Sequence, residues 1–129
     1  VFAAQAIGAD MAYIGTRFLA TTEAHALEEY KQMVVESGSD DVVYTNLFSG
    51  VRGNYLRGSV LRSGFDPDNL PESDPTKRNF GGGEGSKKAW KDIWGCGQGI
   101  GAVKAVVPAA GLVDRLAREY GQAQSRLAA

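Results

Sequence analysis

Two glycine-containing stretches carry the residue types best suited to binding a phosphorylated ligand. In the first, Gly15 and Thr16 directly follow an apolar run at residues 11–14. Glycine lets a phosphate approach the main chain without an intervening Cβ, and threonine adds a hydroxyl beside backbone N–H donors. A Gly-Thr pair of this kind is a weak signal for phosphate binding until other residues support it.

The second stretch is the glycine-rich sequence GCGQGIG at residues 95–101. Its glycines permit close approach of the main chain to a planar ligand, and the amide of Gln98 can both donate and accept hydrogen bonds. The glycine spacing does not match the dinucleotide fingerprint, and neither a strand nor an acidic ribose partner frames it. The stretch therefore predicts a ligand-contacting loop and excludes a Rossmann site.

Hydrophobic patterning predicts the elements that would position the first stretch. Residues 11–14 are short, apolar and broken by glycine, which is typical of an inner strand of a parallel sheet. Thr22 is expected to cap a helix that runs to about Glu36 and stops at Ser37-Gly38. Helical spacing predicts an inward set, Ala24, Leu27, Tyr30 and Val34, and an exposed set, Glu28, Glu29, Lys31, Gln32 and Glu36.

The second half of the chain shows weaker patterns. Residues 42–45 favour an extended strand, residues 49–54 a loop, and residues 55–61 a short amphipathic helix. Residues 102–107 predict one or two apolar helical turns, and a final helix should start at Pro108. The packed face of that helix should consist of Leu112, Val113, Leu116 and Tyr120. The tail at residues 122–129 is expected to fray.

Four stretches together resemble the nitronate monooxygenase family, formerly called 2-nitropropane dioxygenases. They are GADMAYIGTRFLATTEA at residues 8–24, DVVYTN at 41–46, SGVRGNYL at 49–56 and WGCGQGIG at 94–101. The resemblance implies an FMN enzyme on a (β/α)8 barrel with an added substrate region, which oxidises nitronates with molecular oxygen to a carbonyl compound and nitrite. The chain resembles the C-terminal portion of such an enzyme.

The implied fold class is α/β: the C-terminal segment of an FMN-binding (β/α)8 TIM barrel plus a helical substrate region. We expect a mostly helical segment with about two short strands, near residues 11–14 and 42–45. A barrel needs about 250 residues, so most of it should lie upstream of these 129 residues. The implied divisions are the last barrel strand and phosphate-binding loop (1–21), a helix, short strand and helix of the substrate region (22–64), an irregular loop (65–86), and the Gly-Gln loop with closing helices (87–129).

The resemblance also implies roles for individual residues. Gly15, Thr16 and Gln98 would bind FMN, with Gly15 and Thr16 at its phosphate, while Gly97 and Gly99 would lie on the substrate side. Many members carry a hydroxyl residue at the position of Gly99. The general base of the family belongs upstream, so no catalytic residue is assigned within this chain, and the isolated chain is expected to be inactive. His25 is not expected to act as a base.

Composition excludes several other functions. A net charge of −1, from 14 basic and 15 acidic residues spread along the chain, provides no basic stripe for nucleic acid or for a membrane surface. No apolar stretch is long enough to span a bilayer, no signal peptide is recognisable, and we expect a cytoplasmic protein. The single cysteine, Cys96, excludes an internal disulfide and a Cys-rich zinc site, and is expected to pack beside glycine.

Three alternative functions stay open at this stage. A related flavin barrel could reduce an enoyl thioester, because that group shares the strand-Gly-Thr phosphate site. The chain could be a noncatalytic phosphate-ligand or interaction module. It could also associate with itself, or with the rest of the barrel, through an exposed barrel edge.

Three local features also allow two interpretations each. Arg52 could contact an anion or could be an ordinary surface or main-chain-bonded arginine. Residues 65–85 could form a flexible surface connection, or a cover that shapes the substrate entrance. Trp90 and Trp94 are expected to bury together, because no positive channel surrounds them that would suit an exposed pair stacking on bases.

Overall fold

Helices flank a central β-hairpin in the computed structural model, which describes residues 1–73 and 92–127. Within those residues, two 3-10 helices occur, at Ser39–Asp41 and Gln98–Ala102. The expectations for the remainder of the irregular loop, and for Trp90, lie outside the described residues. The helices and strands are α1 (Phe2–Ala6), α2 (Thr16–Leu19), α3 (Glu28–Glu36), β1 (Val42–Thr45), β2 (Gly53–Leu56), α4 (Arg57–Arg62) and α5 (Ala109–Leu127).

The hairpin pairs β1 and β2 in antiparallel register, with Val42 opposite Leu56 and Thr45 opposite Gly53. On its other side, β2 accepts a hydrogen bond from the Cys96 N–H and donates one to the Trp94 carbonyl, at 3.1 and 2.8 Å. The strand predicted at residues 42–45 is confirmed. The prediction of loop and helix across β2 is wrong, because pairing on both edges outweighs its loop-like composition.

The strand predicted at residues 11–14 is wrong: no strand is assigned there. The side chain of Met11 is 85% exposed and that of Tyr13 is fully exposed. An inner parallel strand requires a neighbour on each side, and none of the described residues pairs with this run. The apolar segment thus lies at the surface, as expected for a strand without its partners.

Helix α3 begins later than predicted, at Glu28 with Leu27 as its N-cap residue. Thr22 caps no helix, because none begins directly after it; its N–H donates to the Val107 carbonyl at 3.1 Å, and its hydroxyl donates to the Glu23 carboxylate. Together with the bond from the Val107 N–H to the Ala20 carbonyl at 3.2 Å, the bond from the Thr22 N–H pairs Thr21 with Val107 in a parallel bridge. The predicted stop at Ser37 is confirmed.

The inward face predicted for α3 is only partly right. Val34 is fully buried and Tyr30 half-buried, but Leu27 is exposed. Lys31, expected in solvent, is instead buried, while its ammonium group reaches the exposed Glu28 carboxylate at 2.9 Å. A lysine stem can cover apolar surface with its charge directed to water, which explains why charge alone mispredicted this position.

The main core joins residues from both ends of the chain. Its members come from the end of α2, from α3, β2 and the segment around the second 3-10 helix, and neighbouring apolar residues such as Met33 pack against them. A smaller cluster of Tyr55, Val60 and Ile93 lies beside the hairpin. The buried members of the main core are Ala20, Val34, Leu56, Trp94, Ile100 and Val103.

Helix α5 starts one residue after Pro108, in line with the prediction. Leu112 is buried as expected, but Val113 is 51% exposed. The helix continues to Leu127 rather than ending before residue 122. The helical turns predicted across residues 102–107 are also wrong beyond Ala102, because Val107 forms a parallel bridge with Thr21.

The N-terminus of α5 is capped by a residue distant in sequence. The two carboxylate oxygens of Glu23 accept the Ala109 N–H, at 3.1 and 2.9 Å. A carboxylate at a helix start satisfies a free N–H group and interacts favourably with the helix dipole. The Ala109 bond, followed by that from Thr22, lowers the pKa of Glu23 below its ordinary value.

We expect Glu23→Gln to remove part of the acid sensitivity of the fold. Because the folded pKa is lowered, the carboxylate stabilises the fold above its ordinary pKa of 4.5, and this contribution is lost as the pH falls through the folded pKa. Urea unfolding between pH 7 and pH 3 measures the effect. The matched control is Glu36→Gln, whose carboxylate bonds only a neighbouring side chain, Gln32, among the hydrogen bonds resolved. If the unfolding free energy of Glu23→Gln falls with decreasing pH as steeply as that of the unaltered chain, the capping role is contradicted.

Candidate functional site

The two stretches singled out in the sequence meet in the structure. The Gly97 N–H donates to the Thr16 hydroxyl oxygen at 2.7 Å, across 81 residues of sequence. Gly15 precedes Thr16, and its carbonyl accepts the Phe18 N–H at the start of α2. A threonine hydroxyl that accepts one hydrogen bond keeps a proton to donate, so Thr16 can still bind a ligand oxygen.

The glycines of the second stretch meet different surroundings. A Cβ on Gly97 would lie 3.0 Å from the Thr16 hydroxyl oxygen, whereas a Cβ on Gly99 would meet no atom within 4 Å. Gly97 therefore allows the close approach to Thr16, while Gly99 borders open space.

Gln98 begins the second 3-10 helix, with its side chain exposed. Its amide nitrogen lies 3.5 Å from the side-chain oxygen of Asn54 on β2, and the buried Ile100 anchors the same turn in the core. Sequence reasoning missed Asn54. The hairpin register that would have placed it beside Gln98 depends on β2, which the pattern did not predict.

The segment before Gly97 is held by a layered aromatic contact. The Trp94 ring stacks on Tyr30, with ring centres 4.7 Å apart and planes 16° apart. The Arg62 guanidinium carbon lies 3.8 Å from the Trp94 ring centre. A stacked phenol and a guanidinium at these distances cannot share one face of the indole, so Trp94 lies between them. Its backbone N–H also donates to the Ser59 hydroxyl at 2.9 Å.

Tyr30 also fixes the next residue, because its hydroxyl donates to the Gly95 carbonyl. Burial raises the pKa of Tyr30 to about 12, so the phenol stays protonated and able to donate at neutral pH. Burial likewise raises the pKa of the Cys96 thiol to about 11. A thiol with that pKa is a poor nucleophile, and its contacts with the main core confirm the predicted packing role.

A cavity of about 560 Å³ opens between the hairpin and this fixed segment. It borders Asn54 and so adjoins the Gly-Gln loop. Arg52 lies on it with half of its side chain exposed, and pairs with Glu72 at 2.7 Å. The lining residues are Tyr30, Ser49, Val51, Arg52, Gly53, Asn54, Tyr55, Ile93, Trp94 and Gly95.

Two features are absent from the described ranges. No group of three or more His, Cys, Asp and Glu side chains within residues 1–73 and 92–127 could hold a metal ion. In the same ranges, no helix combines the length and the apolar character needed to cross a bilayer. His25 lies on the surface.

The class of fold follows from solved structures. FabK from Thermotoga maritima and a point mutant of it match this chain with TM-scores of 0.63 and 0.65, at 20% and 22% sequence identity. Each match covers 97% of this chain and, respectively, 41% and 39% of the FabK chain. The chain therefore has an α/β fold that corresponds to part of a larger protein fold.

The family follows from sequence. The family model for nitronate monooxygenase matches residues 1–119, and the chain belongs to the nitronate monooxygenase family. A nitronate monooxygenase from Paraburkholderia phytofirmans is 29% identical over an alignment of 133 positions, which covers 98% of this chain and 36% of the relative. The chain thus spans little more than a third of the length of this curated relative.

Proposed function

We propose that this chain forms part of the FMN and substrate site of an enzyme that oxidises alkyl nitronates with molecular oxygen, giving a carbonyl compound and nitrite. Membership of the nitronate monooxygenase family supports the reaction. The observation that carries the proposal is the hydrogen bond between Thr16 and Gly97, because it joins the expected phosphate loop to the expected ring-side loop.

The residues present fit a flavin. Gly15 and the remaining proton of Thr16 offer an exposed turn and a donor for the phosphate. Gln98 offers an exposed amide for the polar edge of the ring, and the space around Gly99 admits a planar group. A Cβ on Gly97 would lie 3.0 Å from the Thr16 hydroxyl oxygen, so glycine allows the two loops to approach closely there.

The geometry refines the roles of the glycines. Because Thr16 and Gly97 bond each other directly, we propose that Gly97 also positions Thr16. Gly97 and Gly99 are proposed to lie on the substrate side, and Gln98 on the ring side.

When bound, FMN would supply the redox chemistry, carrying electrons from the nitronate to molecular oxygen. The residues of this chain bind and orient. Thr16 donates to the phosphate, Gln98 exchanges hydrogen bonds with the ring, and the fixed segment before Gly97 keeps both loops in place. The general base is proposed to lie outside this chain.

The test uses the enzyme in which this chain is joined to the rest of the barrel, and combines its intact mass and visible spectrum with oxygen uptake and nitrite release on addition of an alkyl nitronate. Flavin absorption and nitrite formation are expected. Absence of flavin even with added FMN would refute the proposal and favour a noncatalytic module. Nicotinamide-dependent flavin reduction coupled to an enoyl thioester, without nitrite, would identify the second candidate, a flavin-dependent enoyl thioester reductase.

We further propose that the apolar run at residues 11–14 is covered by the rest of the barrel or by another copy of the chain. The near-complete exposure of Met11 and Tyr13 supports this, since apolar surface of this kind favours association. Sedimentation at several concentrations tests self-association, with a size that rises with concentration as the expected result for the second case.

A further inference from the structure

We propose that Glu72 acts as a latch for the loop that joins β1 to β2 (residues 46–52, the hairpin loop), and that its release opens the adjacent cavity. The Glu72 carboxylate accepts hydrogen bonds from the side chains of Asn46 and Arg52, at 2.9 and 2.7 Å. Asn46 directly follows β1 and Arg52 directly precedes β2. One carboxylate from outside the hairpin therefore joins the two ends of its loop.

The hairpin loop forms one wall of the cavity of about 560 Å³. Its lining residues are Ser49, Val51 and Arg52. The segment at residues 93–95, which includes Trp94, lines the same space. A displacement of the loop therefore changes the access of solvent to the cavity and to the edge of the Trp94 ring.

The first half of the loop has contacts that do not involve Glu72. Phe48 packs edge-on against Tyr55, with ring centres 5.1 Å apart, and the Ser49 hydroxyl lies 3.3 Å from that of Tyr55. The latch therefore acts on residues 50–52. The Gly50 N–H donates to the Asn46 carbonyl at 2.8 Å, so exchange of this amide with solvent reports how often that part of the loop opens.

Glu72 is kept within reach of the loop by neighbours of its own. Leu70 packs against the cluster around Tyr55, and the Ser73 N–H donates to the side-chain oxygen of Asn46 at 3.0 Å. Both contacts place the Glu72 carboxylate beside its two donors. The latch can therefore open and close again while the chain around it stays folded.

The ion pair within the latch is weak enough to open. The side chains of Arg52 and Glu72 are 50% and 69% exposed. Exposed ion pairs of this kind contribute little to stability, and salt screens them. The structure thus combines a loop that closes a cavity with a fastening that responds to ionic strength.

The experiment follows amide exchange by NMR in the full 129-residue chain without flavin. We expect Glu72→Ala to accelerate exchange of the Gly50 and Ser73 amides about fivefold, as loss of an exposed ion pair and its hydrogen bonds allows. The Val103 amide, which donates to Ile100 at 2.8 Å in the main core, should be unaffected. Salt at about 1 M should accelerate Gly50 exchange in the unaltered chain and have little effect in Glu72→Ala.

Two further variants separate the charge from other effects of substitution. Glu72→Gln keeps a side chain that can accept from Asn46 but removes the ion pair, so it should accelerate Gly50 exchange only about twofold and abolish its salt dependence. Glu119→Ala is the matched control. Glu119 pairs with Arg115 at 2.6 Å on α5, with side chains 45% and 50% exposed, and its removal should leave Gly50 exchange unchanged.

A second measurement links the loop to the cavity. The chain has two tryptophans, so Trp90→Phe leaves Trp94 as its only indole fluorophore. In that background, Glu72→Ala should raise the acrylamide quenching constant of Trp94 about twofold, because local opening admits solvent to the cavity. Glu119→Ala should leave the quenching constant unchanged.

Three results would overturn the inference. Faster exchange at Ser73 alone would mean that Glu72 fastens only its own segment, and equal acceleration at Val103 would mean a general loss of stability. Faster exchange at Gly50 without a change in Trp94 quenching would mean that the loop does not close the cavity. These measurements use neither flavin nor nitronate, so failure of the proposed oxidation and failure of the latch are separate outcomes.

Discussion

Replacing Trp94 with alanine is expected to lower the free energy of unfolding by about 3–5 kcal/mol, the usual range for truncating a large buried aromatic side chain. Trp94 is 4% exposed and belongs to the main core. Alanine would also remove the surface on which both Tyr30 and Arg62 rest. Urea unfolding at 25 °C, followed by far-UV circular dichroism, measures the change.

Two comparisons make the Trp94 result interpretable. Trp94→Phe keeps a ring between the two partners and should be less destabilising than alanine. Val113→Ala removes apolar atoms from a side chain that is 51% exposed, and should change stability by no more than about 0.5 kcal/mol. A loss below about 1 kcal/mol in Trp94→Ala would show that the layered contact does not hold this part of the core.

Gly97→Ala is expected to destabilise the fold by about 0.5–1.5 kcal/mol, the usual range for losing one hydrogen bond, because the bond is only partly buried. The added methyl group would lie 3.0 Å from the Thr16 hydroxyl oxygen, and relief of that contact pushes the hydroxyl away from the Gly97 N–H. Gly99→Ala is the matched control, because its methyl group would meet no atom within 4 Å. The difference between the two unfolding free energies is the quantity to measure.

Thr16→Ala completes a double-mutant cycle with Gly97→Ala. Removing the hydroxyl abolishes both the hydrogen bond and the clash, so the second substitution should cost much less in the Thr16→Ala background than alone. Residues in contact commonly show such non-additivity, of about 0.5–3 kcal/mol. Additive effects would mean that the Thr16 to Gly97 contact is not formed in solution. In flavin-loaded protein, Thr16→Ala and Gly97→Ala should both weaken the binding of FMN.

Short-range signals predicted the parts of the fold that depend on adjacent residues. Ser37 follows the last helical residue of α3, the run of β-branched and aromatic residues at 42–45 forms β1, and α5 starts directly after Pro108. In each case the conformation follows from the backbone preference of the residues themselves, through helix termination, side-chain branching or a fixed φ.

The mispredicted elements share a dependence on partners distant in sequence. Residues 11–14 require parallel neighbours to form a strand, and β2 is defined by pairing on both of its edges. Val107, predicted in a helical turn, instead forms a bridge with Thr21. Lys31 shows the same effect on a side chain, because charge indicates exposure only where no neighbouring surface covers the stem.

The site was predictable in its residue types but not in its assembly. The sequence identified Thr16 and the Gly97 region separately, from what glycine and hydroxyl groups can do near a ligand. Their direct bond spans 81 residues, and no local pattern indicates it. Asn54 and the aromatic wall of the cavity became recognisable only with the register of the hairpin.

Helix α1 packs on α5 through the Phe2 and Tyr120 rings, whose centres are 5.5 Å apart, and Tyr120 donates to Gln5 at 2.9 Å across 115 residues. During synthesis at about 5–20 residues per second, the first helix must therefore wait roughly 6–23 s on the ribosome for this partner. Until Tyr120 is synthesised, α1 lacks this contact with α5.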